Sequence, residues 1–186
     1  MTTIEKSVDV AVPVSTAYNQ WTQFETFPRF MEGVERITQL TPTRTHWQTK
    51  IGGVEREFDA EVTEQHQDER IAWSTVDGPP HGGVVTFHRL DAHSTRVHLQ
   101  MEYHPETLTE KAGAALGVVQ HRVTGDLARF KEFIENRGAE TGAWEGDVPR
   151  PPQVGETGQH GGTAPRPEVP GPTGTPKPGD PPQYRR

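Results

Sequence analysis

The chain has 186 residues, 19 Lys+Arg against 26 Asp+Glu for a net charge of −7, and no cysteine. An acidic chain lacks the basic face that neutralises phosphate, which excludes nucleic acid and anionic membrane surfaces as natural partners. Without cysteine there are no disulfides, no thiolate nucleophile and no thiolate metal site.

Residues 4 to 12 alternate, with Ile4, Val8, Val10 and Val12 on one face and Glu5, Ser7 and Asp9 on the other. That pattern predicts a half-buried strand, stopped by Pro13. Ser15 can cap a short helix whose inward side carries Ala17, Tyr18 and Trp21. The greasy run WTQFETFPRFM (residues 21 to 31) then holds Pro28. Proline suits the first turn of a helix, so 14 to 31 reads as two short helices, Pro28 near the start of the second, Gly33 at its end. They are expected to cross the open end of the sheet, Tyr18 and Trp21 in the core and the phenylalanines at a cavity gate or floor.

Strands follow. Val34 to Leu40 and His46 to Ile51 precede Gly52-Gly53, a signal for a two-residue hairpin turn. That register sets Ile51 opposite Val54, Thr49 opposite Arg56 and Trp47 opposite Phe58, with Lys50–Glu55 and His46–Asp59 on the other face. The fourth strand, VEREFDAEV, points Arg56, Phe58, Ala60 and Val62 inward. A polar turn (EQHQDER) leads to strand five, with Ile71, Trp73 and Thr75 inward, Ala60 expected beside Trp73 and Arg56 near Asp77. After DGPPHGG, strand six turns Val85 and Phe87 inward, and strand seven Val97, Leu99, Met101 and Tyr103.

Thr107-Leu108-Thr109-Glu110 matches a capping box. From Leu108 to Ile134 apolar residues recur every three or four positions, predicting a helix of about 30 residues stopped by Gly138. Its polar side carries Arg122, Asp126, Arg129 and Glu132. Gly113 and Gly117 have the spacing of membrane-helix packing, but Glu110, Lys111, His121 and Arg122 deny them an apolar span.

Glu145 onward holds 11 of the 17 prolines and 8 of the 19 glycines. Such a segment buries too little apolar surface to offset its ordering entropy. Two regions are therefore expected: a folded domain over 1–144 carrying the whole −7 charge, and a neutral, disordered Pro/Gly-rich tail over 145–186. No signal-peptide core and no run of about 20 apolar residues occurs, so a cytoplasmic protein without a membrane span is expected.

The order of elements, with QWTQFETFPRFMEGVERI (20 to 37) and ERIAWSTVDGPPHGGVVTFHRL (69 to 90), resembles the START-like superfamily, also called SRPBCC. Within it the chain is most similar to bacterial polyketide cyclase/dehydrase and coenzyme Q-binding members, over about residues 3 to 140. The resemblance implies an α+β helix-grip fold: a seven-stranded antiparallel sheet curled around a long C-terminal helix, with two short helices after strand one. It also implies a hydrophobic ligand in the cavity under that helix.

The inward aromatic set reads two ways, as ordinary core or as the wall of that cavity. Small residues near the start of the long helix (Gly113, Ala114, Ala115, Gly117) favour the cavity. The candidate ligand-binding set is Phe27, Phe30, Trp47, Arg56, Phe58, Trp73, Thr75, Phe87, Met101 and Tyr103. Arg56 either pairs with Asp77 or holds a polar group of a ligand at the cavity mouth. Nine histidines raise the question of metal, but His88 and His98, expected as cross-strand neighbours, lack a third ligand. His81 is a candidate general base with no carboxylate placed to orient it. Nucleophile and phosphate-loop motifs are absent. No catalytic residue, metal or cofactor is assigned. The leading expectation is a non-enzymatic carrier of a lipid, quinone or polyketide; the alternatives are an aromatic polyketide cyclase/dehydrase and an interaction module that engages a protein partner through the Pro-rich tail.

Overall fold

The computed structural model describes residues 2–51, 53–77, 80–103 and 111–152; the side chains of Thr2, Tyr103 and residues 111–115 lie outside that description, as do the expected capping box and the chain from 153. Alternating segments form seven strands: β1 (Thr2–Val10), β2 (Val34–Gln39), β3 (Arg44–Ile51), β4 (Val54–His66), β5 (Arg70–Thr75), β6 (Gly82–Arg89) and β7 (Thr95–Tyr103). Between β1 and β2 lie α1 (Val14–Trp21) and a 3-10 helix, η1 (Phe24–Arg29); α2 (Lys111–Arg137) follows β7. The sheet is antiparallel throughout, in the order β1-β7-β6-β5-β4-β3-β2. This is the helix-grip α+β architecture.

The β3–β4 hairpin has the expected register. Ile51 faces Val54, Thr49 faces Arg56, Trp47 faces Phe58 and Lys50 faces Glu55. Gly53 closes it at φ +82°, a left-handed conformation that favours glycine. Lys50 Nζ meets Glu55 Oε1 at 2.8 Å and His46 Nδ1 meets Asp59 Oδ1 at 2.8 Å on the outer face.

Elsewhere the chain departs from the reading. β4 continues to His66, through what had read as a turn, and bulges between Val62 and Glu64. Trp73 therefore pairs with Val62, and Ala60 with Thr75. A two-residue offset keeps every side chain on its face, because strand periodicity is two. The β6–β7 hairpin pairs Thr86 with His98 and His88 with Arg96, so the two histidines are not directly opposed. Ser15 does not cap α1; Pro13 occupies that position without a side-chain cap bond. Pro28 lies inside η1 near its end rather than at a helix start. The tight 3-10 turn loses one short-range bond to proline's missing N–H and retains its path through Thr26 N to Gln23 O and Phe30 N to Phe27 O.

Gly138 ends α2 at φ +68°, its amide donating back to Ile134 O at 2.9 Å. The chain then crosses behind α1. Gln20, fully buried, donates to Thr26 Oγ1 and Thr141 Oγ1 and accepts from the Thr141 amide. Past Glu61, β4 outlasts its β3 partner, leaving Gln65 with backbone groups to satisfy. Val148 takes both: Gln65 N to Val148 O is 2.8 Å and Val148 N to Gln65 O is 2.9 Å. Residues 139–150 are thus a strap on the domain, continuing past the expected boundary at 144.

Candidate functional site

One end of the sheet's inner face is sealed. Val10, Val85, Phe87, Val97 and Ile71 are buried there against α1 and the half of α2 carrying Val123, Leu127, Phe130 and Ile134. Tyr18 and Trp21, as expected, are core: Phe87 meets both edge-on, and Trp21 meets Phe130 at 5.0 Å. Burial raises the Tyr18 phenol above its ordinary pKa, opposed by the hydrogen bond from Gln65 Nε2 at 3.0 Å.

Toward the other end, apolar side chains become less buried and share the face with Thr49, Arg56 and Thr75. Trp47, Trp73, Met101, Leu116 and Val119 are half-buried against the core, and Phe58 is half-buried beside them. At the hairpin tip Ile51 is 44% and Val54 54% exposed.

An aromatic chain joins the two ends. Phe27 meets Trp21 at 5.5 Å, Phe30 at 5.3 Å and Trp47 at 6.0 Å; Trp47 then stacks on Phe58 at 5.9 Å with an interplanar angle of 11°. The Trp47 indole N–H donates to Thr45 Oγ1 at 2.8 Å, fixing the ring. Trp73 lies over Gly83: a Cβ there would stand 2.5 Å from its indole. The candidate residues therefore separate. Phe27, Phe30 and Phe87 are buried in the aromatic core. Trp47, Phe58, Trp73, Thr75 and Met101 lie in the half-open region. Arg56 is exposed on the outer stretch of β4, and the Tyr103 side chain lies outside the described residues.

Asp77 accepts from the Asp59 amide at 2.8 Å, a contact made possible by the two-residue offset of β5 on β4. His81 is tied to Thr75 by backbone: Thr75 N donates to His81 O at 2.8 Å, and His81 N donates to Thr75 Oγ1 at 3.0 Å. That holds the half-buried His81 at the edge of the half-open region. Among the described residues no group of three or more His, Cys, Asp or Glu could hold a metal.

Sequence reasoning missed a clasp that sets the position of α2. Arg122, Asp126 and Arg129 had read as its solvent face. Arg122 Nη1 donates to Glu32 O at 2.9 Å, Asp126 Oδ1 accepts from the Glu32 amide at 2.9 Å, and Arg129 Nε donates to Phe30 O at 2.9 Å. Arg129 also pairs with Asp126. Burial raises the Asp126 carboxyl above the usual range, with the Glu32 amide and Arg129 pulling it back. Gly33, at φ +88°, lets the loop pass under Arg122, where a Cβ would stand 2.5 Å from Nη1. The available signal was the spacing of 122, 126 and 129 along one edge of the apolar stripe.

A family model described as polyketide cyclase / dehydrase and lipid transport matches residues 10–132. The chain belongs to this family. It is 62% identical, over 149 residues, to an uncharacterized 17.2 kDa protein of Streptomyces lincolnensis, covering 80% of this chain and 99% of that one. Among solved structures it is similar to the Zhui aromatase/cyclase of a Streptomyces species, at TM-score 0.63 and 16% identity over 77% of this chain and 99% of that one. A START superfamily protein from Mycobacterium smegmatis superposes at TM-score 0.57 and 16% identity, covering 73% and 95% of the two chains. At these identities the structural matches speak to the fold, a START-like helix grip. Among the described residues no helix is long and apolar enough to cross a membrane.

Proposed function

We propose that this protein binds a hydrophobic small molecule — a lipid, quinone or polyketide — between the half-open inner face of the sheet and the N-terminal half of α2. The observation that carries the reading is the fall in burial among the apolar residues of the inner face, from Val85 and Ile71 through Trp73 and Met101 to Ile51 and Val54, with Thr49, Arg56 and Thr75 as polar members of the same face. A side chain that faces a core yet stays wet has apolar area still to bury, at about 25 cal/mol per Å². The family's lipid-transport and cyclase description agrees with such a ligand.

Trp47, Phe58, Trp73 and Met101 would form the apolar wall, with Leu116 and Val119 of α2 opposite. Thr75 would supply a polar contact, and Arg56 would reach a carbonyl or anionic group near the entrance. Phe27 and Phe30 serve as its floor by supporting Trp47. Phe87 backs that floor from the sealed core. Native mass spectrometry of freshly purified protein tests this. A retained hydrophobic mass, lost on Trp73→Ala substitution, is the expected result; a protein that carries nothing and takes up no fatty acid, quinone or aromatic polyketide overturns it.

A second reading, cyclase/dehydrase chemistry, draws on His81 being held against Thr75 at the edge of the same region. It predicts that His81→Ala abolishes turnover of a polyketide while leaving its binding intact. Unchanged product distribution with and without the protein favours the carrier.

A further inference from the structure

Both ring nitrogens of His66 face carboxylates. Nδ1 lies 2.7 Å from Asp147 Oδ1, and Nε2 lies 3.3 Å from Glu64 Oε1. The imidazolium donates to Asp147 and is drawn to Glu64 as an ion pair, whereas the neutral ring carries no charge to hold either carboxylate. Glu64 is itself a hub. Its side chain is 9% exposed, with Arg70 Nε at 3.4 Å from Oε1 and Arg150 Nε at 3.1 Å from Oε2.

Two of these groups, Asp147 and Arg150, belong to the strap, on either side of the Val148–Gln65 backbone pair. We propose that the strap is a pH-sensitive clasp, seated on the edge of β4 when His66 is protonated and loosened when it is neutral. The charged groups around His66 are Asp147 and Arg150 from the strap, Glu64 from β4, Glu69 from the following turn and Arg70 from β5. The three carboxylates favour the imidazolium. The two arginines are both engaged with Glu64.

The direction follows from linkage. Asp147, through its hydrogen bond, is the largest influence raising His66 above the ordinary histidine pKa. A raised pKa in the seated state means that seating is favoured at low pH and weakens as pH rises through that value. The same strap supplies Thr141, Ala143 and Trp144 to one wall of a surface groove of about 620 Å³, whose other walls include Phe24, Gln39 and Pro42. Loosening the clasp would open that groove and uncover the edge of β4, an unpaired strand edge being a template for another strand.

Hydrogen exchange of the full chain between pH 5.5 and 8.5, corrected for intrinsic rates, reads the clasp at the Val148 and Gln65 amides. Their protection is expected to fall several-fold across that range while Val85 and Val97 amides in the sheet hold theirs. His66→Gln and Asp147→Asn are each expected to give low strap protection that no longer follows pH. Wild-type protection independent of pH overturns the proposal. So does pH dependence that survives in His66→Gln, or strap amides that exchange in step with the sheet core.

Discussion

Gly83→Ala is the sharpest test of where the half-open region lies. The added methyl would stand 2.5 and 2.8 Å from two carbons of the Trp73 indole and 2.9 Å from Gln100 O. Ordinary carbon contacts sit at about 3.5–4.0 Å, so the ring must retreat by roughly 1 Å. The Gln100 carbonyl is backbone of β7, paired across the sheet with Val84, and cannot yield alone. The ring therefore moves off the sheet toward α2, into the space assigned to the ligand. Overpacking of this kind costs about 1–3 kcal/mol. For a domain of this size that is a fall of about 2–12 °C in Tm. Thermal melts should show it, tryptophan emission should change, and uptake of a fatty acid or quinone probe should weaken. Adding Trp73→Leu to the Gly83→Ala chain should recover part of the stability, because the clash partner is gone. Wild-type Tm, emission and uptake in Gly83→Ala would refute the assignment of Trp73 to the ligand wall.

Four further outcomes follow from the contacts. Gln20→Ala should cost about 1–2 kcal/mol in urea unfolding, since it removes the buried amide that donates to Thr26 and Thr141 and accepts from the Thr141 N–H. Asp126→Asn should leave the melt near wild type, keeping an oxygen for the Glu32 amide while removing a buried charge, whereas Asp126→Ala should lower stability by about 1–3 kcal/mol. Ending the chain after Trp144 should lower Tm by several degrees relative to ending it after Pro152, because Val148 and Arg150 are lost from Gln65 and Glu64. On the acid side, Glu140 is held below its ordinary pKa chiefly by the Asn19 hydrogen bond, so its contribution is present at neutral pH and lost as pH falls through the lowered value. Glu140→Gln should flatten that part of the Tm–pH profile.

The fold was legible where periodicity and turn chemistry agreed. Gly52-Gly53 set the β3–β4 register residue by residue, and the 3.6-residue stripe with Gly138 located α2 and its stop. The β4–β5 register was not, because the polar residues Glu64, Gln65 and His66 resemble a turn. Their polarity has another cause: Gln65 bonds the buried Tyr18 hydroxyl, and Glu64 and His66 receive the strap. The strap was hidden for a related reason. A short stretch of Asp, Val, Pro and Arg inside a Pro/Gly-rich segment carries no hydrophobic pattern, and its docking depends on the edge of β4 at Gln65 that β3 does not reach, far earlier in the chain. At the site, parity put Trp47, Phe58 and Trp73 on the correct face, but parity cannot grade depth. Phe87 shares that patterning and is sealed in the core, as are Phe27 and Phe30 in and after η1.

The proposed ligand site lies between Trp73 and Met101 on the sheet and Leu116 and Val119 on α2. Intermolecular NOEs to the Met101 and Val119 methyl groups, from a bound long-chain fatty acid or quinone, test it directly. Ligand contacts are expected to both methyl sets, with none to the sealed Val97 and Val85 methyls. Contacts confined to other surfaces, or no saturable contacts for any hydrophobic probe, would contradict it.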